Sequence, residues 1–273
     1  MSMPVYPDRF ARSVLQGLPL SEVRVVDCHA HVGHYASLHI PETGMAEMIA
    51  TADRLGIETL CLSALEAISA DYRRGNDCVS RAMLDYPGRV RGYVVVNPHY
   101  PEEILPEIER CFAAAPFIGL KFHPAGHEYP SDGPAYEAAL AYAHEHGLVV
   151  LSHNWGSADY LDRVSQRYPR AHFIQAHSAA AWRGIAPLDY LRVAKTRPNV
   201  FLDLALSMAW YGALERAVAE AGSEHLLFGT DAAFLDPAVA VGRIAFAQVP
   251  DEDKVKILGL NMLGIIGEPL KPV

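Results

Sequence analysis

Eight short runs rich in β-branched and other apolar residues recur along this chain, at 23–32, 57–63, 90–97, 117–123, 148–153, 172–177, 200–206 and 226–231. Between and after them lie helix-like stretches at 44–55, 75–86, 102–114, 134–146, 158–168, 188–196, 212–221 and 237–248, with a last one at 252–266. Gly56, Gly88, Gly147, Pro169 and Pro198 stand just before the next apolar run, where a helix stop feeds a tight αβ turn. Strict alternation of strand and helix builds a parallel sheet, because parallel neighbours need a crossover long enough to hold a helix. Eight such units in about 250 residues fit a (β/α)8 TIM barrel. No G-x-G-x-x-G follows the first run to favour a dinucleotide fold, although periodicity alone leaves the open doubly wound sheet as the alternative.

The chain has 273 residues, of which 51% are hydrophobic and 20% charged, enough for one large core. No linker rich in Pro, Gly or Ser divides it, so a single domain over 1–273 is expected. A net charge of −9 disfavours nucleic acid and anionic membrane as partners, since both require a basic face, and leaves a small molecule. Residues 1–12 are polar and no run has the length to cross a bilayer, so a soluble, cytoplasmic protein is expected. The four cysteines (Cys28, Cys61, Cys78 and Cys111) show no close pairing, which suits a reducing compartment. Homo-oligomerisation stays open.

The first run closes on Asp27-Cys28-His29-Ala30-His31. Residues two apart on a strand point to one side, so His29 and His31 form half of a site for zinc or a similar divalent ion, with Cys28 turned to the opposite face. The spacing alone is weak: 13 histidines in this length yield about 0.6 such pairs by chance. His144-Glu145-His146 has the same spacing in an alanine-rich helical stretch, where its two rings diverge and read as solvated surface. In a parallel barrel the C-terminal strand ends carry the chemistry. There the fourth run ends in Lys121-Phe122-His123-Pro124, the fifth in Ser152-His153-Asn154, the sixth in Ala176-His177-Ser178 and the eighth in Gly229-Thr230-Asp231.

This pattern resembles the amidohydrolase superfamily, and within it the amidohydrolase-2 branch of metal-dependent TIM-barrel enzymes. The resemblance spans nearly the whole chain, with Ile257-Leu258-Gly259-Leu260-Asn261 as a further matching segment. It implies that His29, His31, His153 and Asp231 bind a divalent metal, usually zinc, with His177 a further ligand or a proton-transfer group. Three neutral imidazoles and one carboxylate leave a centre with an open position for water, whose pKa such an ion lowers to about 7. Asp231 suits proton transfer from that water to a leaving group, and His177 suits a substrate carbonyl or oxyanion. Lys121 is either a cation for a substrate carboxylate or a carboxylated lysine bridging two metals; one metal is the preferred count. In the first case His123 lines the pocket.

The loops offer His34, Tyr35, His39, Arg73, Arg74, Asn97, His99, Asn154, Trp155, Trp182, Arg183, Trp210 and Tyr211 as candidate substrate contacts. Aromatics with a few cations suit a small ring-bearing or carboxylated substrate, while Arg183 is as well suited to a nearby carboxylate. The first expectation is hydrolysis of a C–N or C–O bond in an amide, lactam or lactone. The alternative is a lyase, the non-oxidative decarboxylation of an aromatic or unsaturated acid, which the same branch contains. Phosphoester chemistry is disfavoured, because the fourth strand offers Lys and His where the related nucleases place Glu. A non-catalytic binding protein predicts a missing ligand, and the sequence lacks none.

Overall fold

The computed structural model describes residues 8–37, 39–40, 44–177, 187–205 and 211–267. Eight parallel strands follow one another in sequence order around a (β/α)8 barrel. They are β1 (Val26–Val32), β2 (Thr59–Ala64), β3 (Val90–Val95), β4 (Gly119–Phe122), β5 (Val149–Ser152), β6 (His172–Gln175), β7 (Val200–Asp203) and β8 (Leu226–Leu227). Seven fall inside their expected runs, and β2 extends one residue beyond its run, to Ala64. The ring closes between β8 and β1, where Cys28 N–H donates to the Phe228 carbonyl at 2.9 Å and Asp231 N–H to the His29 carbonyl at 2.8 Å.

The helices are α1 (Arg9–Leu15), α2 (Met45–Leu55), α3 (Leu65–Ser69), α4 (Tyr72–Asp85), α5 (Ile104–Ala114), α6 (Glu137–His146), α7 (Ala158–Arg167), α8 (Pro187–Thr196), α9 (Ala213–Ala221), α10 (Pro237–Ala245), α11 (Asp251–Val255) and α12 (Asn261–Ile265). Side chains set their ends: Asp71 accepts Arg74 N–H at 3.0 Å and Ser157 accepts Tyr160 N–H at 3.1 Å, each meeting one donor the first turn leaves open. Gly56 and Gly147 close α2 and α6 in the left-handed conformation, as their positions before a strand lead one to expect. On α6, His144 Nδ1 accepts Arg170 N–H and His146 tilts over Tyr142, so this second pair lies on the outer surface.

Strand residues divide into two layers. Leu60, Leu62, Val94, Leu120, Phe122, Val150, Phe173 and Leu202 pack with helix residues. Val26, Cys28, Cys61, Tyr93, Val149, Leu151, Ile174 and Leu227 form an inner cluster that Met262 and Leu263 of α12 join. The 257–261 segment is part of this frame: Phe228 N–H donates to the Ile257 carbonyl at 2.9 Å, and Asn261 Nδ2 donates to the Ser223 and Leu226 carbonyls at 2.8 Å each. A side chain at Gly259 would run into the Arg24 carbonyl, which explains a glycine inside this π-helical turn. No helix among the described residues is long and apolar enough to cross a membrane.

Candidate metal centre

β1 delivers its histidines through a break in pairing. Asp27 pairs with Leu60 and Ala30 with Leu62, so three steps on β1 span two on β2, a β-bulge. Strict alternation would have turned Cys28 away from the side that His29 and His31 share. Instead Cys28 packs in the inner cluster beneath them, beside Cys61 and Tyr93. The expected outward orientation of Cys28 is corrected on this point. It remains a free thiol, driven well above the ordinary cysteine range by burial.

The histidines are held in one tautomer. His29 Nδ1 lies 2.7 Å from Asp203 Oδ2, His31 Nδ1 is 3.3 Å from the Ser63 carbonyl, and His177 Nδ1 is 2.9 Å from the Ala205 carbonyl. Those oxygens only accept, so each Nδ1 carries the proton and each Nε2 offers a lone pair; the Ser63 hydroxyl, 3.0 Å from His31 Nδ1, then serves as a second acceptor. The His29 and His31 Nε2 atoms are 3.1 Å apart, and Asp231 Oδ1 stands 3.1 Å from His31 Nε2 and 3.8 Å from His29 Nε2. Ligand atoms of His29, His177 and Asp231 also lie within 4.8 Å of one another. Donors held about 2.1 Å from a common divalent ion stand roughly 3.0–3.4 Å apart, so the closest of these separations fit one ion.

Electrostatics agree with that chemistry. Burial, followed by the Lys121 charge, holds His29 well below the usual imidazole range, and burial lowers His31 in the same direction. Both are therefore neutral, as ligation requires. Burial alone would raise Asp231, but its contact with His31, backed by His29 and His177, holds it well below the usual carboxylate range. Backbone strain converges here too: His177 and Asp231 adopt φ values of +57° and +59°, two of the three positive-φ non-glycine residues among those described.

Lys121 is fully buried, and its Nζ donates to His29 Nε2 at 2.8 Å. Burial lowers it to about 8, against the pull of Asp203 and Asp231. His123 has the opposite tautomer from the first three rings, because its Nδ1 accepts Gly126 N–H at 2.8 Å and leaves the proton on Nε2. It stacks on His153 with ring centroids 4.2 Å apart, and His153 in turn leans edge-on against His177 at 4.9 Å. Burial, reinforced by the neighbouring His177, brings His153 down to about 3. His153 thus stands one ring from the closest group, which comprises His29, His31, His177 and Asp231.

Two carboxylates to which sequence reasoning assigned no role support this group. Asp203, at the end of β7, is completely buried against His29, and burial raises its pKa. Its signal in the sequence is an acidic residue inside the apolar run 200–206, level with the other polar strand ends. Asp27 Oδ1 accepts His29 N–H at 3.1 Å and Thr230 N–H at 3.0 Å, and its Oδ2 accepts the Thr230 hydroxyl at 2.5 Å. Phe234 was also unforeseen; its ring meets His31 edge-on at 5.6 Å and Tyr35 at 5.8 Å.

Several candidate substrate contacts have other roles. Trp155 is 1% exposed, with its indole N–H on the Ile174 carbonyl and its ring among Phe122, Phe173 and Tyr160, so it is a core residue. Asn154 spends its Oδ1 on Gly156 N–H at 2.7 Å, shaping its own turn. Arg73 pairs with Glu103 and Arg74 with Glu66. Trp182, Arg183 and Trp210 lie outside the described residues.

The barrel is similar to several solved structures. One is an uncharacterised TIM-barrel protein from Bordetella bronchiseptica, with a TM-score of 0.73 and 14% identity over 90% of this chain and 100% of that one. Another is 5-carboxyvanillate decarboxylase from Sphingomonas paucimobilis, with a TM-score of 0.69 and 17% identity over 90% and 100%. A third is a dihydroxybenzoic acid decarboxylase from Polaromonas sp. JS666 holding manganese and 2-nitroresorcinol, with a TM-score of 0.69 and 16% identity over 90% and 97%. At these identities the likeness establishes the fold. Comparison with curated protein sequences finds no match. The family model Amidohydro_2, described as Amidohydrolase, matches residues 26–261, and the chain belongs to that family.

Proposed function

We propose that this protein is a metal-dependent enzyme acting on a small, ring-bearing carboxylated substrate, with non-oxidative decarboxylation preferred over hydrolysis. The observation that carries the reading is the convergence of the His29 and His31 lone pairs and the Asp231 carboxylate within 3.1–3.8 Å, beside the buried cation Lys121. In this reading His29, His31, His177 and Asp231 hold one divalent ion, with His153 as the further ligand that the family resemblance implies. Zinc was the first expectation; the manganese in the Polaromonas decarboxylase makes manganese an equal candidate. A bound ion would supply a Lewis acid for a carboxylate or carbonyl oxygen.

The chain's own residues then divide the remaining work. Lys121 offers positive charge to a substrate carboxylate, and His123 offers its Nε2–H as a donor. Tyr35 and Phe234 form an aromatic wall on the His31 side, while the stacked His123 and His153 face the substrate on another. An aromatic acid suits such a slot, and two of the similar structures described above are decarboxylases of that substrate type. Hydrolysis remains the second reading because the Asp231 carboxylate, held ionised beside His31, is placed to accept a proton from water.

Metal analysis joined to a substrate panel tests this. We expect about one ion per chain, CO2 release from hydroxylated benzoates, and loss of ion and turnover together in Asp231→Asn. Turnover of lactones or amides without CO2 release would move the assignment to hydrolase. A protein that binds neither zinc nor manganese would overturn both readings, and two ions per chain would revive a carboxylated Lys121.

A further inference from the structure

The geometry points to Asp203 as the positioning residue that fixes the proton of His29 and the main chain of His177 with one carboxylate. Its Oδ2 receives His29 Nδ1 at 2.7 Å, while its Oδ1 accepts the N–H groups of His177 at 3.2 Å and Ala205 at 2.8 Å. The Ala205 carbonyl, on the residue so anchored, holds His177 Nδ1 at 2.9 Å. One group on β7 thus governs two rings contributed by β1 and the end of β6. Asp203 is fully buried, so no water competes for these contacts. His177 needs such support, since its φ of +57° is one that a non-glycine residue adopts only under surrounding constraint.

The two oxygens have different duties, and this makes the role testable. Asp203→Asn keeps one acceptor and converts the other arm into a donor. If the amide oxygen stays with the two backbone N–H groups, the amide NH2 faces His29 Nδ1 and cannot share a line with an N–H. Turning the amide round instead would leave two backbone donors facing an NH2, which is the costlier choice. His29 must then move its proton to Nε2, where the His31 Nε2 at 3.1 Å can receive it once Lys121 Nζ, which now donates to that lone pair at 2.8 Å, turns aside. That removes the lone pair by which His29 would hold an ion; a misassigned tautomer of this kind disables the histidine of a serine-protease triad in the same way.

The inference rests on the metal-centre reading for its consequence but not for its primary measurement. Metal-free protein labelled with 15N-histidine should show His29 protonated at Nδ1 in the wild type and at Nε2 in Asp203→Asn, with the melting curve confirming that the variant folds. Titration with Mn2+ should show affinity reduced 10–100-fold in the variant, the range typical of lost outer-sphere partners. An unchanged tautomer in a folded variant overturns the proposal, as does unchanged Mn2+ affinity. Should the variant fail to fold, the wild type still decides: His29 protonated at Nε2 refutes the assignment. If wild-type protein binds no Mn2+ yet shows the Nδ1 proton and the switch, the positioning role stands and the metal-centre reading falls.

Discussion

Replacing Thr230 with valine isolates the clasp that closes the barrel beside the candidate centre. The hydroxyl donates to Asp27 Oδ2 at 2.5 Å and accepts Ala232 N–H at 3.0 Å, and both Asp27 and Thr230 are at most 1% exposed. Valine keeps the shape, loses a hydrogen bond to a charged acceptor and strands one amide donor. Together these cost about 3 kcal/mol, which lowers the melting temperature by about 5 °C in a chain of this size. The loss should also depend on pH. Burial raises Asp27 to about 7 despite the Thr230 hydroxyl, which favours its ionised form. A carboxyl raised above its unfolded value of 3.8 adds stability at low pH, lost as pH rises from about 4 through 7. Because valine withdraws support from the ionised form only, its effect should be larger at pH 8 than at pH 5. Thermal unfolding of metal-free protein at both values, followed by circular dichroism, measures this without ligand linkage. A melting temperature within 1 °C of wild type at pH 8, or a larger loss at pH 5, would refute the reasoning.

Two further expectations concern the frame. Trp155→Ala removes a buried ring and the donor on the Ile174 carbonyl, so stability should fall by about 3–5 kcal/mol while the apparent KM, measured well below the melting transition, changes little; a selective rise in KM would return Trp155 to the substrate site. Burial pushes Glu107 up, but Arg110 at 2.8 Å, Asn76 and Cys111 bring its carboxyl below 4.5. Its stabilisation is therefore present above about pH 4.5 and lost as pH falls through the lowered value. Melting temperatures between pH 6 and 3 should decline less steeply in Glu107→Gln, and parallel curves would contradict this.

The sequence disclosed the barrel because each strand carries its own β-branched run and each helix its own stop. What it concealed was short or compensated. α1 has seven residues and depends on the Asp8 cap, and α3 has five, too few for a helical period to register. The π turn at Lys256–Leu260 follows from how closely Gly259 approaches the Arg24 carbonyl, a tertiary fact. At the site, His29, His31, His177 and Asp231 were legible because each ends a strand on the same rim. Asp203 was equally placed but attracts no notice without His29 opposite it. Trp155 misled because a tryptophan in a loop after a strand looks available, whereas its ring folds back beneath Phe122 and Phe173.

The bulge in β1 gives that strand two reading frames. Before it, the even-numbered Val26 and Cys28 face the interior; after it, the odd-numbered His29 and His31 do. Packing and chemistry thereby occupy separate phases of one seven-residue segment. Substitutions in the first phase should register mainly as changes in melting temperature, and those in the second mainly as changes in ion retention. Removing the extra residue would merge the two phases, forcing the inner cluster and the histidine pair to compete for the same inward positions.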